Sequence, residues 1–492
     1  MVYVRGIVPD ATYQFKHALI RDAAYEALLK SRRRELHRLV AQTIDKEFPV
    51  LNEAHPEVLA RHWTEAGEAE PAIAEWQRAG KTAEARNAFR EALESYRQAI
   101  ALLKLLPESP ERELRELELA QSIVSPLMFT AGYSAPETIH AIEHATVLAE
   151  KSGSLKQLVD LMISQAGAYN VAGNFQAGAQ LADRVLELAL REGSPVSVGR
   201  AHAFQINTRF YVGDLAGIEK HFMAGLKFFE DPDLVRLFMS GRLAFGMGSW
   251  NAWLLGRADV AREREARMMA AANTKPADVA NMAWSEFYAA QFRTLVSEYE
   301  KAEALAAHSL ELCEHHQFTW LAGWARCVLG DARSRLGRVA EGTAQIRRGI
   351  AGLLDIGVRG KLSEFTAYLA AALEREGATG DALETVEQAL RLNPSEIHYR
   401  PEALRLRGEL QRKLGHIDLA EADFHASIEL AQRMDAKAWE LRTTTSLARL
   451  LKSQSRCDEA RTTLAEIYNW FTEGFDTADL KDAKALLEEL AT

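Results

Sequence analysis

The chain has 492 residues, 48% hydrophobic and 26% charged, so it carries ample apolar surface for a folded core. Its 59 Lys+Arg against 69 Asp+Glu leave a net charge of −10, which argues against bulk nucleic-acid binding. Cys313, Cys327 and Cys457 cannot make a disulfide framework, no apolar run nears the length of a membrane span, and the start lacks a signal peptide's apolar stretch. The expectation is therefore a soluble, cytoplasmic chain with no membrane partner.

Residues 1–85 read as a region of their own, because the turn at Gly67 lies too close to the next one, at Asn87, for the spacing that governs the rest. Within it, Lys30-Ser31-Arg32-Arg33-Arg34-Glu35-Leu36-His37-Arg38 puts five fixed positive charges on one helix. Such a run is either a solvated face or a docking surface for an acidic neighbour, with Arg32, Arg33 and Arg34 as its candidate contacts. No aromatic interleaving accompanies it, so nucleic acid is not expected as a partner.

From residue 86 to 492 a pattern returns about every 40 residues, and it predicts an all-α fold, a right-handed α-solenoid of about ten tetratricopeptide-like helical hairpins. Asn87 opens it, with Ala92 five residues on and Ala99 and Ile100 at +12 and +13. The stretch 104–140 is irregular: Pro107 to Pro110 breaks the chain, and Gly132 to Pro136 makes a turn whose proline can open a helix. The regular series then runs through Gly173, Gly213, Gly256, Ser297, Gly337, Gly377, Gly415 and Ser455. A small residue stands at +5 each time, Ile218 excepted, and a large apolar residue at +13, from Leu186 to Tyr468. Small residues there let paired helices approach, and the turn residue ends the first helix in the left-handed region. Asn393-Pro394-Ser395 with Pro401 marks a second break, and the segment after Gly474 reads as a capping helix. No sheet of any size is expected.

Five of the nine tryptophans, Trp250, Trp253, Trp284, Trp320 and Trp324, precede the turn of their own repeat and so fall on first helices, which line the concave face of such stacks. Tyr288 extends Trp284 along one stripe, and Arg293 lies nearby. Two readings stay open: these side chains pack the core, or they line a groove for a protein, a peptide or a small anionic ligand.

Phe15-Lys16-His17-Ala18-Leu19-Ile20-Arg21-Asp22-Ala23-Ala24-Tyr25, the segment Leu28 to His37, Leu59-Ala60-Arg61-His62-Trp63-Thr64-Glu65-Ala66-Gly67 and Ala131 to Glu137 together resemble a junction in large bacterial signalling proteins. In that family a class III adenylate/guanylate cyclase domain precedes a STAND/AAA-type ATPase and then tetratricopeptide-like repeats. The resemblance implies that residues 1–85 follow a STAND ATPase winged helix and that His17, grouped with the basic run as a docking candidate, sits where such a protein faces nucleotide. It implies a sensor or interaction arm in signal transduction, or the C-terminal part of a cyclase or ATPase whose catalytic domains are elsewhere.

Chemical motifs do not complete. Gly80-Lys81-Thr82 is the tail of a P-loop whose first glycine position holds Glu75. Cys313, His315, His316 and Cys327 lack zinc-ligand spacing. Gly246-Met247-Gly248-Ser249-Trp250 has neither the nucleophile-elbow order nor the third glycine of a dinucleotide site. The expectation is a binding module with no catalytic residue, no cofactor and no metal.

Overall fold

The computed structural model describes residues 2–5, 12–15, 18–132, 135–231, 240–274 and 278–491. His17, a candidate from the sequence, lies outside the described residues. The chain divides into two compact units, 1–126 and 127–492.

In the first unit, β1 (Val2–Arg5) and β2 (Thr12–Phe15) pair antiparallel with Val2 opposite Phe15. Nothing in the sequence pattern announced this hairpin, because four residues per strand are too few to show a two-residue period. Seven helices follow: α1 (Ala18–Glu26), α2 (Lys30–Glu47), α3 (Pro49–Ala54), α4 (Pro56–Ala66), α5 (Ala69–Ala85), α6 (Phe89–Leu103) and α7 (Pro110–Ser122). Their main core joins Ala60, Ile73, Trp76, Ala92, Tyr96 and Leu119. Gly80, the glycine of the incomplete P-loop, sits in α5 where an added Cβ would meet the Tyr96 ring, so it serves close packing of α5 on α6. The sequence boundary at residue 85 thus falls inside one helical hairpin. Asn87 is the left-handed turn between α5 and α6, not the start of a unit, so the helix before it belongs to the same hairpin.

α8 (Val124–Thr130) spans the boundary in sequence, and α9 (Pro136–Ser152), the first helix wholly in the second unit, opens on its proline as expected. Eight hairpins follow: α10 and α11 (Leu155–Val171, Phe175–Glu192), α12 and α13 (Pro195–Tyr211, Leu215–Phe229), α14 and α15 (Ser240–Leu254, Ala258–Asn273), and α16 and α17 (Val279–Leu295, Tyr299–His316). Then come α18 and α19 (Thr319–Arg335, Val339–Asp355), α20 and α21 (Leu362–Arg375, Thr379–Leu392), α22 and α23 (Arg400–Lys413, Ile417–Arg433), and α24 and α25 (Lys437–Ser453, Cys457–Tyr468). The helix α26 (Ala478–Leu490) closes the array, burying Leu480, Ala483, Leu486 and Leu490 against the last hairpin.

Every anchor of the periodic series adopts positive φ, from 63° at Ser455 to 87° at Gly337. Every +5 residue from Gly178 to Ala460 is buried, including the misfit Ile218. At Gly342 the reason is direct: an added Cβ would meet the Gly330 carbonyl, so α18 and α19 cross glycine on glycine. The +13 positions are mostly half-buried, whereas Val185, Met268, Ser309, Ala389 and Ser427 at +12 point inward. Two turns of helix separate +5 from +12, which is the spacing that keeps one face on the partner helix. Among the described residues no helix is long and apolar enough to cross a membrane.

Candidate functional site

First helices are buried over most of their length: thirteen of the seventeen residues of α16 are buried, against five of eighteen in α17. The cause is that the array closes on itself. The Arg359 and Gly360 N–H groups both donate to the Val171 carbonyl at 2.8 Å, Ile397 N–H donates to the Tyr211 carbonyl at 2.8 Å, and Arg442 Nη2 donates to the Leu295 carbonyl at 3.0 Å. Val171, Tyr211 and Leu295 are the last residues of α10, α12 and α16, whose final carbonyls have no partner within their own helices. Loops far later in sequence therefore cap the first helices of earlier hairpins. Asn393 Nδ2 likewise donates to the Gly173 carbonyl at 2.9 Å, across 220 residues. At Gly360 a Cβ would stand 2.6 Å from the Asn170 carbonyl oxygen, so only glycine permits this approach.

The tryptophans sit within this closure. Trp250, Trp253, Tyr288, Trp320 and Trp324 are all at most 4% exposed; Trp284 and Arg293 are partly buried. Trp284 packs on Trp320 and Tyr288 with centroids 4.8 and 5.4 Å apart, Trp253 meets Trp439 edge to face at 4.9 Å, and the Trp250 indole donates to the Tyr288 carbonyl at 3.0 Å. Arg293 pairs with Glu265 and with Glu298. The structure thus brings the aromatics together as packed rings between layers. Gly246 and Gly248 make room for Tyr288 and Phe222.

At the centre of the rings lies a charged cluster that sequence reasoning missed. Lys361, wholly buried in left-handed conformation at the start of α20, places Nζ 4.7 Å from the Trp250 ring centroid, with Phe210, Phe365 and Trp324 within 6.0 Å. Such an aromatic enclosure stabilises an ammonium through the ring quadrupoles. Nζ also lies 2.7 Å from Glu364 Oε2, an ion pair buried on both sides. His398 Nε2 is 2.9 Å from the same oxygen, while Tyr368 Oη and Gln291 Nε2 donate to the other. Burial alone would raise the Glu364 pKa; Lys361 and His398 outweigh it and hold it down at about 2. Glu396, also buried, has no such cation of its own. Burial and the neighbouring Glu364 charge push its pKa up to about 8, so at neutral pH it is mostly protonated. Only Lys361's place after a Gly-x-x-Gly loop, Gly357 to Gly360, could have drawn notice in the sequence.

Further along the inner face is a polar cavity of about 200 Å³, lined from the α16–α17 turn, α18, α22, α24 and α26. Four arginines reach it. Arg405 grips Glu402 with two bonds of 2.8 Å and donates to Ser446 Oγ at 3.2 Å. Arg442 grips Asp479 at 3.0 and 2.6 Å. Arg335 donates to Asp331 at 2.9 Å and to Tyr299 Oη at 3.1 Å, and Arg449 pairs with Asp482.

In the first unit, Arg32 is exposed and bonded to Glu35 at 2.7 Å, Arg33 stacks on Tyr25 at 5.1 Å, and Arg34 is exposed. Leu29 (76% exposed) precedes this helix, Leu39 (60%) lies further along it, and Phe48 (51%) and Val50 (77%) follow its other end.

No protein-family model matches the chain. An uncharacterized protein of Rhizobium meliloti (strain 1021) is 24% identical over 467 residues, covering 90% of this chain. The chain spans 44% of that protein's length. Among solved structures, the APC/C hetero-tetramer Cut9-Hcn1 aligns over 97% of this chain and 99% of its own at 13% identity, with a TM-score of 0.46. A Rap protein complexed with competence and sporulation factor aligns over 86% and 99% at 12% identity, with a TM-score of 0.41.

Proposed function

We propose that the chain is a non-catalytic helical-repeat scaffold that docks another protein through its first unit. The observation that carries this reading is the basic run Lys30, Arg32, Arg33, Arg34 and Arg38 on α2, together with the large apolar side chains left in solvent along that helix and at its two ends, Leu29, Leu39, Phe48 and Val50. Large apolar side chains left in solvent mark an interaction surface. Charge complementarity commits the occupant: an acidic protein surface, set against the basic first half of α2. A further copy of this chain would set the same basic helix against itself.

Within that reading the chain is the interaction arm of a bacterial signalling regulator of the cyclase and STAND ATPase type, acting in the cytoplasm, with the effector domains elsewhere in a longer protein. The junction motifs support this, as does a relative more than twice the length of the matched region. The alternative, that the chain is the C-terminal part of a cyclase or ATPase whose catalytic domains are elsewhere, predicts neither ATP hydrolysis nor cyclic-nucleotide formation by the purified chain.

The test uses as probe the part of the Rhizobium relative that lies outside the matched region, expressed separately. Binding is expected, weakened at least tenfold by Arg32→Glu with Arg34→Glu and by Leu29→Asp, and falling with added salt. A dimer of the chain dispersed by Leu29→Asp, binding of the chain to anionic phospholipid vesicles through the same face, or turnover of ATP would each overturn the reading.

A further inference from the structure

The four guanidinium groups of the polar cavity have more donors than the protein's own acceptors consume. Both oxygens of Glu402 accept from Arg405, and both oxygens of Asp479 accept from Arg442. Among the described residues, Nη1 of Arg442, Nη2 of Arg335, and Nε and Nη1 of Arg449 have no protein acceptor, and none of these atoms is a sealed, unpartnered one. Each guanidinium has five N–H donors and no acceptor. The lining sets four arginines against three carboxylates, Glu402, Asp479 and Asp482, while Asp331 and Glu409 behind them are shared with Arg375 and Arg412, so hydrogen-bonding capacity, rather than net field, decides what fits.

The site is built rather than incidental. Arg405 and Arg442 are 19% and 18% exposed, each fixed in a two-point grip, while Arg449 and Asp482 at 46% and 50% stand at the mouth. Arg442 is further held by the Leu295 carbonyl and by the Trp253 and Trp439 rings at 5.2 and 5.1 Å. Ser297, Tyr299, Thr445 and Ser446 add hydroxyls to the lining. Arginine locked by carboxylates presents its remaining N–H groups in a fixed fork, the arrangement that recognises an oxyanion.

The geometry points to a binding site for an oxyanion-bearing small molecule or segment end, a carboxylate or a phosphate, in this cavity. Its recognition falls to Arg335, Arg442 and Arg449, with hydroxyl contacts from Ser446 and Tyr299. The ligand draws α17, α18 and α24 together, because Tyr299, Arg335 and the Arg442, Ser446 and Arg449 group stand on those three helices. This surface is separate from the docking face of the first unit.

The test titrates the full chain by calorimetry with sodium phosphate, citrate, L-glutamate, and an acidic hexapeptide with free or amidated C-terminus, at constant ionic strength set with sodium chloride. Saturable binding to one site is expected, with thermal stabilisation beyond that of chloride. Phosphate binding alone assigns a phosphate ligand; citrate or glutamate binding assigns a carboxylate, and preference for the free over the amidated peptide assigns a chain terminus. Arg442→Lys keeps the charge and loses the fork, so about tenfold weaker binding is expected; Arg449→Gln, at the exposed mouth, weakens it by about threefold without affecting folding. Stabilisation no greater than chloride's by every probe, or affinities unchanged in Arg449→Gln, would overturn the inference. Docking through the first unit would stand in either case.

Discussion

The two units solve the problem of apolar surface in opposite ways. In the second unit first helices such as α16 and α24 bury most of their side chains, charged ones included, because later hairpins fold back over them. In the first unit α1 and α2 leave Tyr25, Leu29, Leu39 and Val40 in solvent, and among the described residues α2 buries only Ala41 and Ile44. A repeat stack satisfies itself only where enough neighbours exist to close it; a short run of helices with few neighbours leaves apolar side chains for another surface. What separates the two regions is therefore supply of neighbours, not hydrophobicity.

The sharpest way to break this contrast is to remove the cation at the centre of the closure. Lys361→Met keeps most of the side-chain volume among Trp250, Phe210 and Phe365 but strips Glu364 of the charge that holds its pKa near 2. Leaving a buried carboxylate without its cation costs about 3–5 kcal/mol. Chemical denaturation should show a loss of that size, and the double variant Lys361→Met with Glu364→Gln should recover most of it. A single variant as stable as the parent would mean the cluster is not what joins early and late hairpins.

A smaller effect is expected from pH. The folded pKa of Glu396, about 8, stands above its ordinary 4.5, so folding favours the protonated carboxyl. That contribution is fully present below about pH 4.5 and is lost as pH rises toward 8. The facing charged groups are Glu364 and Lys361, and Glu364, held in the opposite direction, titrates only below that window. Glu396→Gln keeps the neutral shape, so it should flatten the decline in melting temperature between pH 5 and pH 8 and leave the stability at pH 5 little changed. An unaltered slope would place the titrating group elsewhere.

How much of this was legible in the sequence follows from the range of each interaction. Hairpin turns are local: the Gly or Ser that ends a first helix, and the small residue five positions on, recur in register, and all of them took the expected place. Ile218 shows that the packing tolerates one larger side chain at a position otherwise held by Gly or Ala. The position of the tryptophans on first helices was legible too, and core packing was one of the two readings it left open; what no 40-residue pattern encodes is the long-range closure around them, such as the hydrogen bond of Asn393 to Gly173. Lys361 and the arginine cavity were hidden for the same reason. Arg335, Arg405 and Arg442 come from three different repeats, and each alone looks like an ordinary charged residue on a helix. The early boundary was misplaced because a turn was taken for a beginning.

The smallest expected effect on stability is also the one that best sharpens the comparison. Leu29→Ser and Val50→Ser remove side chains that are 76% and 77% exposed, so folding changes little surface at either place. Substitutions of this kind fall within about 0.5 kcal/mol of the parent in denaturant unfolding. The same changes in the second unit, at Leu441 or Leu464 for example, remove fully packed groups and cost several times more. If Leu29→Ser and Val50→Ser prove neutral in isolation yet lower solubility losses on concentration, the first unit's apolar face is one the protein keeps for an external partner. If they destabilise by 2 kcal/mol or more, that face is covered by the chain's own residues in solution, and the distinction between a self-satisfied array and an unsatisfied end fails.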